Sequence, residues 1–151
     1  MSRSEDGISQ VLQARGLNIT HPRIALFKLL EKGKPLSVSE IYHELADEVD
    51  RASVYRAINL FVDLGVAHKI NLGWKYKIEL SDTFVEHHHH FTCAKCHIVI
   101  ALNEAELESF IDRLARRYKF SATAHQIEIQ GLCEKCKKGR VKSGKKLEKK
   151  P

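Results

Sequence analysis

The four cysteines of this chain are arranged in two short pairs with the same spacing. Two residues separate Cys93 from Cys96, and two separate Cys133 from Cys136. Thiolates spaced in this way on tight turns point to one centre, and four of them complete the tetrahedral shell of a zinc ion. We therefore predict a closed structural zinc site formed by both pairs. A redox-active pair and unrelated reduced thiols are the alternatives.

A run of four histidines at 87–90 precedes the first cysteine pair. Alternate side chains of a strand point to opposite faces, so His87 and His89 would leave one face while His88 and His90 leave the other. One such strand can supply ligands to two separate metal sites. A polar strand with surface histidines is the alternative interpretation.

Amphipathic helices are predicted to form the N-terminal half of the chain. Apolar residues recur at helical spacing over 8–15, 22–33, 38–49 and 51–64, and Ser37 with Glu40 has the pattern of a capping box. Residues 66–70 and 75–80 predict two strands of a hairpin that turns through 71–74. Helices followed by a hairpin in this order indicate a winged helix-turn-helix.

The C-terminal part has a different composition and begins after a polar segment at 81–86. Its patterns predict the histidine strand, a strand at 98–102, a helix capped by Asn103 and a last strand at 125–129. About 50 residues with few apolar side chains bury little surface, so a metal and a partner surface are both expected to stabilise this part. The predicted fold class is α+β.

Positive charge is concentrated at the C-terminal end of the chain. Residues 137–151 contain eight lysines and arginines and one acid, whereas the other residues contain 17 basic and 18 acidic side chains. A segment with so few apolar residues cannot offset its ordering entropy, so we predict a disordered basic tail at 137–151. It either solubilises the protein or holds DNA phosphates without regard to sequence.

Composition disfavours several broad classes of protein. An apolar content of 43% is typical of a globular chain, and no run approaches the roughly 18 apolar residues of a membrane span. The sequence shows no nucleophile motif, no phosphate-binding glycine loop and no paired acids, which disfavours an enzyme. We therefore expect a cytoplasmic protein that has no membrane partner and no small-molecule substrate.

In combination, these features resemble the ferric uptake regulator family, and within it most closely the zinc uptake regulators. The segments that carry the resemblance are 52–60, 87–96 and 125–136, in that order, and it spans about residues 8–136. It implies a winged-helix DNA-binding domain at 1–80, a hinge at 81–86 and a metal-binding dimerisation domain at 87–136. Metal in the second domain is then expected to set the angle between two DNA-binding heads.

Two regulatory metal sites are implied by the resemblance. One consists of His87, His89, Glu108 and His125, and a solvated glutamate is the alternative for Glu108. Iron- and peroxide-sensing relatives build the other site with a histidine and an acid at positions where this chain has Leu36 and Ala101. The sensor site is therefore predicted to be formed by His68, Glu79, His88 and His90.

The predicted sensor ligands favour zinc. Three imidazoles and one carboxylate suit a tetrahedral zinc ion, whereas iron(II) prefers more ligands and more oxygen donors. His68 also resembles the hinge ligand of zinc uptake regulators. An exposed strand histidine and a surface acid are the alternatives for His68 and Glu79, and iron(II) or manganese is the alternative occupant of a regulatory site.

The resemblance also implies how the winged helix binds DNA. It places Tyr55 against thymine methyl groups and Arg56 on a purine edge or a phosphate, although a packing aromatic is the alternative for Tyr55. Relatives often have a lysine after the first helix that reaches the minor groove, and this chain has Asn18 there, with Arg15 as a candidate substitute. The predicted phosphate contacts are Ser53, Arg23 and Thr20.

The sequence thus predicts a dimeric, zinc-loaded repressor that binds a palindromic A/T-rich operator in double-stranded DNA and controls metal-uptake genes. The alternative within the same family is an iron(II)- or peroxide-responsive regulator. A metal-dependent hydrolytic enzyme is the alternative from another class. Its catalytic metal would need an open coordination position and a nearby acid–base group, and the sequence supplies no such group for the histidine sites.

Overall fold

The computed structural model describes residues 3–139, and side chains from residue 6 onward. The chain divides between Glu86 and His87 into two compact units, which we call the N-terminal unit and the C-terminal unit. Helices and strands occur in both, so the predicted α+β class is confirmed. None of the described helices is long and apolar enough to cross a membrane.

The N-terminal unit is a bundle of four helices followed by a two-stranded hairpin. Its elements are α1 (Arg3–Ala14), α2 (His21–Leu30), α3 (Val38–Leu45), α4 (Arg51–Asp63), β1 (Ala67–Leu72) and β2 (Lys75–Leu80). The predicted capping box of α3 is present, because Ser37 N donates to Glu40 Oε2 at 2.7 Å and Glu40 N donates to Ser37 Oγ at 3.2 Å. Asp50 caps α4 in a similar way by accepting from Ser53 N at 2.9 Å.

One apolar core holds this unit together. Its fully buried side chains come from all four helices and from the hairpin, and they include Ile8, Leu26, Phe27, Ile41, Ile58, Phe61 and Ile78. Phe84, which lies in the segment predicted as a hinge, also packs on this core, since its ring meets Phe27 edge-on at 5.1 Å between centroids. The segment at 81–86 therefore contributes to the packing of the N-terminal unit.

The hairpin is held at its base and turns more tightly than predicted. β1 and β2 pair from Ala67 opposite Leu80 to Leu72 opposite Lys75, so only Gly73 and Trp74 form the turn. Gly73 has a φ of 74°, which a two-residue hairpin turn requires at its first position and which glycine adopts without strain. At the other end, Leu36 and Ile78 exchange backbone hydrogen bonds of 3.0 and 2.7 Å.

The C-terminal unit contains a three-stranded sheet and two helices. Its elements are β3 (His89–Cys93), β4 (Val99–Leu102), α5 (Ala105–Arg117), β5 (Glu128–Gly131) and α6 (Glu134–Lys137). β3 is the central strand and pairs antiparallel with β4 and parallel with β5.

Three predictions about this unit were wrong in detail. The N-cap of α5 is Glu104 rather than Asn103, and its side chain makes no capping hydrogen bond. The last strand begins at Glu128 instead of residue 125, because its pairing with β3 starts at His90. The predicted tail begins too early, since Lys137 belongs to α6, and residues 140–151 lie outside the described residues.

Within its described part, the C-terminal unit has hardly any apolar interior. The only side chains buried there are those of His89, His90, Thr92, Cys93 and Cys136. No residue of α5 is buried, and the apolar residues Ile100, Phe110, Leu114 and Ile129 are all between 37% and 50% exposed. The interior of this unit consists almost entirely of potential metal ligands, and its apolar side chains face outward.

Candidate metal centres and DNA-binding surface

The four cysteines converge on one point. Cys93 ends β3, Cys96 follows on the next turn, Cys133 precedes α6 and Cys136 lies within it. All four Sγ atoms lie within 4.8 Å of one another, and those of Cys96 and Cys133 are 3.7 Å apart. A tetrahedron with zinc–sulfur bonds of about 2.3 Å has edges of about 3.8 Å. The cluster therefore fits a structural zinc ion.

Backbone hydrogen bonds shape the first cysteine turn. Cys93 N donates to Ile98 O at 3.0 Å, and His97 N donates to Cys93 O at 2.9 Å. Ala94 N donates to Gly131 O at 2.8 Å, which ties this turn to the strand that leads to the second pair. His97 completes the turn with a φ of 59°, in the left-handed region that favours glycine. These hydrogen bonds fix the shape of the turn that carries Cys93 and Cys96.

The protonation of the thiols also points to a cation. The backbone N–H of Cys133 donates to Cys93 Sγ at 3.4 Å and lowers the pKa of Cys93 to about 6. Burial raises the pKa of Cys136 to about 12. Each thiolate opposes the ionisation of its neighbours, so four of them coexist only around a positive ion. A zinc ion bound by the four cysteines would supply that charge and displace the remaining protons.

A second cluster is formed by His87, His89, Glu108 and His125, all within the C-terminal unit. His89 lies at the start of β3, Glu108 in the first turn of α5, and His125 before β5. His89 Nε2 lies 2.8 Å from Glu108 Oε1, and His125 Nε2 lies 3.2 Å from Glu108 Oε2. The Nε2 atoms of His87 and His125 are 3.1 Å apart. α5 therefore brings one carboxylate to three imidazoles.

This geometry is that of a ligand set. A tetrahedral ion with bonds of about 2.0–2.1 Å has ligand–ligand edges of about 3.3 Å, close to the observed separations. Burial opposes ionisation of Glu108, but hydrogen bonds from His89 and His125 outweigh it and hold the pKa of Glu108 below its usual value. His89 is only 1% exposed, whereas Glu108 is 39% exposed. The cluster thus has the donors, the charge and the access that a divalent cation requires.

The four predicted sensor ligands form two pairs, one in each unit. In the N-terminal unit, His68 and Glu79 are direct partners across the hairpin, and His68 Nε2 lies 2.7 Å from Glu79 Oε1. In the C-terminal unit, the rings of His88 and His90 lie 4.8 Å apart between centroids. The rings of His87 and His89 are separated by the same distance, so the predicted alternation of the four histidines is present.

The candidate DNA-binding residues lie on the N-terminal unit. A groove of about 410 Å³ is lined by Thr20, Pro22, Arg23, Ser53, Arg56, Ala57 and Leu60. It brings together four of the six predicted contacts. Arg56 Nη2 donates to Ser53 Oγ at 3.0 Å, and Arg23 Nη1 donates to the backbone oxygen of Asn18. Arg15, by contrast, lies outside this groove on the exposed end of the loop after α1.

Tyr55 lies at the surface, where it contacts a cation that the sequence analysis did not select. Its side chain is 39% exposed. Arg51 Cζ lies 5.8 Å from the centre of the Tyr55 ring and 5.5 Å from the centre of the Tyr42 ring. Spacing of four residues on one helix face was the available signal for the Arg51–Tyr55 contact.

Comparison with known proteins identifies the family. A family model described as the ferric uptake regulator family matches residues 14–130. The ferric uptake regulation protein of Legionella pneumophila is 34% identical over 134 residues, which cover 85% of this chain and 97% of that protein.

Solved structures share the fold. The ferric uptake regulator of Vibrio cholerae has a TM-score of 0.68 and 30% identity, and the match covers 82% of this chain and 98% of that one. A zinc-bound manganese uptake regulator has a TM-score of 0.60 and 26% identity, over 83% of this chain and 97% of that one. With its cysteine cluster, its histidine clusters and these matches, this chain belongs to the ferric uptake regulator family of metal-responsive transcription regulators.

Proposed function

We propose that this chain is a zinc-responsive, homodimeric repressor that acts in the cytoplasm on a palindromic A/T-rich operator of metal-uptake genes. The observation that carries the proposal is the paired sensor ligands: His68 with Glu79 in one unit, and His88 with His90 in the other. Together they offer three nitrogens and one carboxylate, a set that suits zinc.

The two positions at which this chain lacks a ligand support zinc over iron(II). Leu36 is 9% exposed and its backbone is bound to Ile78 of β2, so it is a core residue of the N-terminal unit. Ala101 pairs with His90 across the sheet and offers no donor atom. The site therefore lacks the additional ligands and oxygen that iron(II) prefers.

Binding of one ion by both pairs provides a mechanism for regulation. If the two units adopt many relative orientations, only a fraction of the molecules has the orientation that binds the operator. An ion held by both units raises the fraction of molecules in that orientation. His68 is 28% exposed in the side chain, which allows an ion to enter. The cluster around Glu108 is proposed as a second regulatory site that tunes this step and also accepts zinc, iron(II) or manganese.

The exposed apolar face of the C-terminal unit is proposed to be covered by a second copy of the chain. Phe110 is 50% exposed and Leu114 is 37% exposed on α5, and Ile100 and Ile129 are similarly exposed on the sheet. A unit whose described interior is mainly ligands gains stability by burying this face against its own copy. A dimer would also present two copies of α4 to two operator half-sites.

One experiment tests the metal assignment. The chain is purified without chelator, its metals are counted, and a duplex selected from random DNA is titrated with protein in zinc, iron(II) or manganese. We expect zinc to support the tightest binding, and His68→Ala to raise the zinc requirement while the first zinc equivalent and the dimer are retained. Tight binding in iron(II) but not zinc would instead assign the chain to iron sensing, as the name of the Legionella pneumophila relative indicates for that protein.

A further inference from the structure

One arginine connects the core of the N-terminal unit to the exposed face of α4. Arg51 is the first residue of α4, and its Cζ lies between the centres of two rings, 5.5 Å from that of Tyr42 and 5.8 Å from that of Tyr55. Both distances are within the range of about 6 Å in which a cation is attracted to an aromatic ring. We call this group of three side chains the arginine bridge.

The inner end of the arginine bridge is anchored. Tyr42 lies on α3, is half-buried and packs against the apolar core of the N-terminal unit. Its contact with Arg51 crosses the connection between α3 and α4, where Asp50 caps α4. Arg51 is exposed, and among the described residues no carboxylate forms an ion pair with it. The two rings are therefore the contacts that place its guanidinium.

The outer end of the arginine bridge is the predicted base contact. Tyr55 is 39% exposed and follows Arg51 by four residues, so both lie on one face of α4. A tyrosine on a helix has two favoured χ1 rotamers, at about 180° and −60°, and the ring occupies a different place in each. Contact with the guanidinium favours one place for the ring before DNA binds. The ordering that base recognition requires is then partly complete in the free protein.

We propose that Arg51 is a positioning residue for base recognition, which holds the ring of Tyr55 where that ring contacts a thymine methyl group. The proposal rests on the proposed function, and it deepens it by naming a residue that sets specificity. Arg56 is engaged elsewhere, because its guanidinium donates to Ser53 in the α4 groove. A phosphate contact by Arg51 would strengthen binding to every sequence alike, so the two roles are distinguishable.

Discrimination between thymine and uracil measures this role. The duplex selected from random DNA is prepared with deoxyuridine in place of one thymine at a time, which removes one methyl group. Zinc-loaded full-length protein is titrated with each duplex and with mixed-sequence DNA. The thymine that Tyr55 contacts is the one whose replacement weakens the parent but not Tyr55→Ala. At that position Arg51→Ala should lose most of the preference for thymine. Its preference for the selected duplex over mixed-sequence DNA should fall about fivefold, the scale of one exposed cation–π contact.

Variants of the inner ring separate positioning from a general loss of folding. Tyr42→Phe keeps the ring and should behave like the parent, whereas Tyr42→Leu should lose the preference for thymine as Arg51→Ala does. The effects of Arg51→Ala and Tyr55→Ala should not add, because both remove the same contact with the base. Lys32→Ala is the matched control, since Lys32 is also exposed but lines a separate groove formed by α2 and α3.

The possible failures differ in what they refute. An Arg51→Ala protein that keeps the parent's preference for thymine would overturn the proposal. Equal weakening on all duplexes, with a slope of log affinity against log salt smaller by about 0.9, would make Arg51 a phosphate contact and would also overturn it. A parent protein that prefers no selected duplex over mixed-sequence DNA would refute the proposed function itself.

Discussion

Removing one cysteine ligand should unfold the C-terminal unit while the N-terminal unit stays folded. We choose Cys136→Ser, because Cys136 is 4% exposed and its Sγ belongs to the four-sulfur cluster. Structural zinc contributes about 10–16 kcal/mol in small zinc-dependent folds, as much as the whole stability of a typical domain, about 5–15 kcal/mol. The described interior of this unit offers no apolar core to replace that contribution.

The assay combines zinc content, oligomeric state and thermal unfolding. Cys136→Ser should contain about one zinc fewer per chain, elute as a monomer and lose one of two unfolding transitions. The transition that remains should belong to the N-terminal unit, which has its own core. Lys95→Ala is the matched control, since Lys95 is exposed between two ligands and offers no thiolate. A Cys136→Ser protein that lacks this zinc yet dimerises and melts like the parent would refute the structural role.

Further predictions concern protons, metals, DNA and the dimer. Cys93 has a pKa of about 6, so it is mostly ionised at pH 7 and mostly protonated at pH 5. Binding of the first zinc ion should therefore release about one more proton at pH 5 than at pH 7, and zinc should bind more weakly at pH 5. Calorimetry in buffers of different ionisation enthalpy measures this proton count. An unchanged proton count would contradict this reasoning. His125→Ala should alter the zinc response of operator binding less than His68→Ala, and the opposite order would assign the sensor to the cluster around Glu108. Tyr55→Ala should weaken binding to the selected operator by about 1–3 kcal/mol but leave binding to mixed-sequence DNA unchanged, as gel-shift titrations can measure. Phe110→Asp should shift the dimer to monomers in sedimentation experiments, and a stable dimer would show that α5 is not at the interface.

Helices of the N-terminal unit could be predicted because their signals are local. The capping box at Ser37 and the apolar spacing of α4 each involve residues within one or two turns. The start of α1 was missed because residues 3–7 are polar or glycine and carry no apolar period, although the helix begins at Arg3. The strands β1 and β2 were predicted, but Asn71 and Leu72 extend the ladder, so the tight turn at Gly73 is shorter than the predicted loop.

The C-terminal unit was less predictable because its bounds depend on distant partners. β5 begins where β3 offers a partner to Glu128, a position that no local pattern marks. Cysteine spacing and strand alternation predicted which cysteines and histidines could share a metal. Glu108 reaches the histidines only through the packing of α5, so its assignment as a ligand depended on the family resemblance. The contact of Arg51 with Tyr55 was missed, although the two residues lie four apart on one helix face.

The alternation of histidines along β3 has a consequence for how such a regulator evolves. Odd-numbered and even-numbered positions between 87 and 90 face different ligand groups, as the ring pairs His87–His89 and His88–His90 show. A point mutation at one position therefore changes the donor set of one group and leaves the chemistry of the other intact. His89→Asp, for example, would add an oxygen donor beside Glu108 and would not touch His88 or His90. Metal preference in this lineage can thus drift at one centre while selection maintains the other.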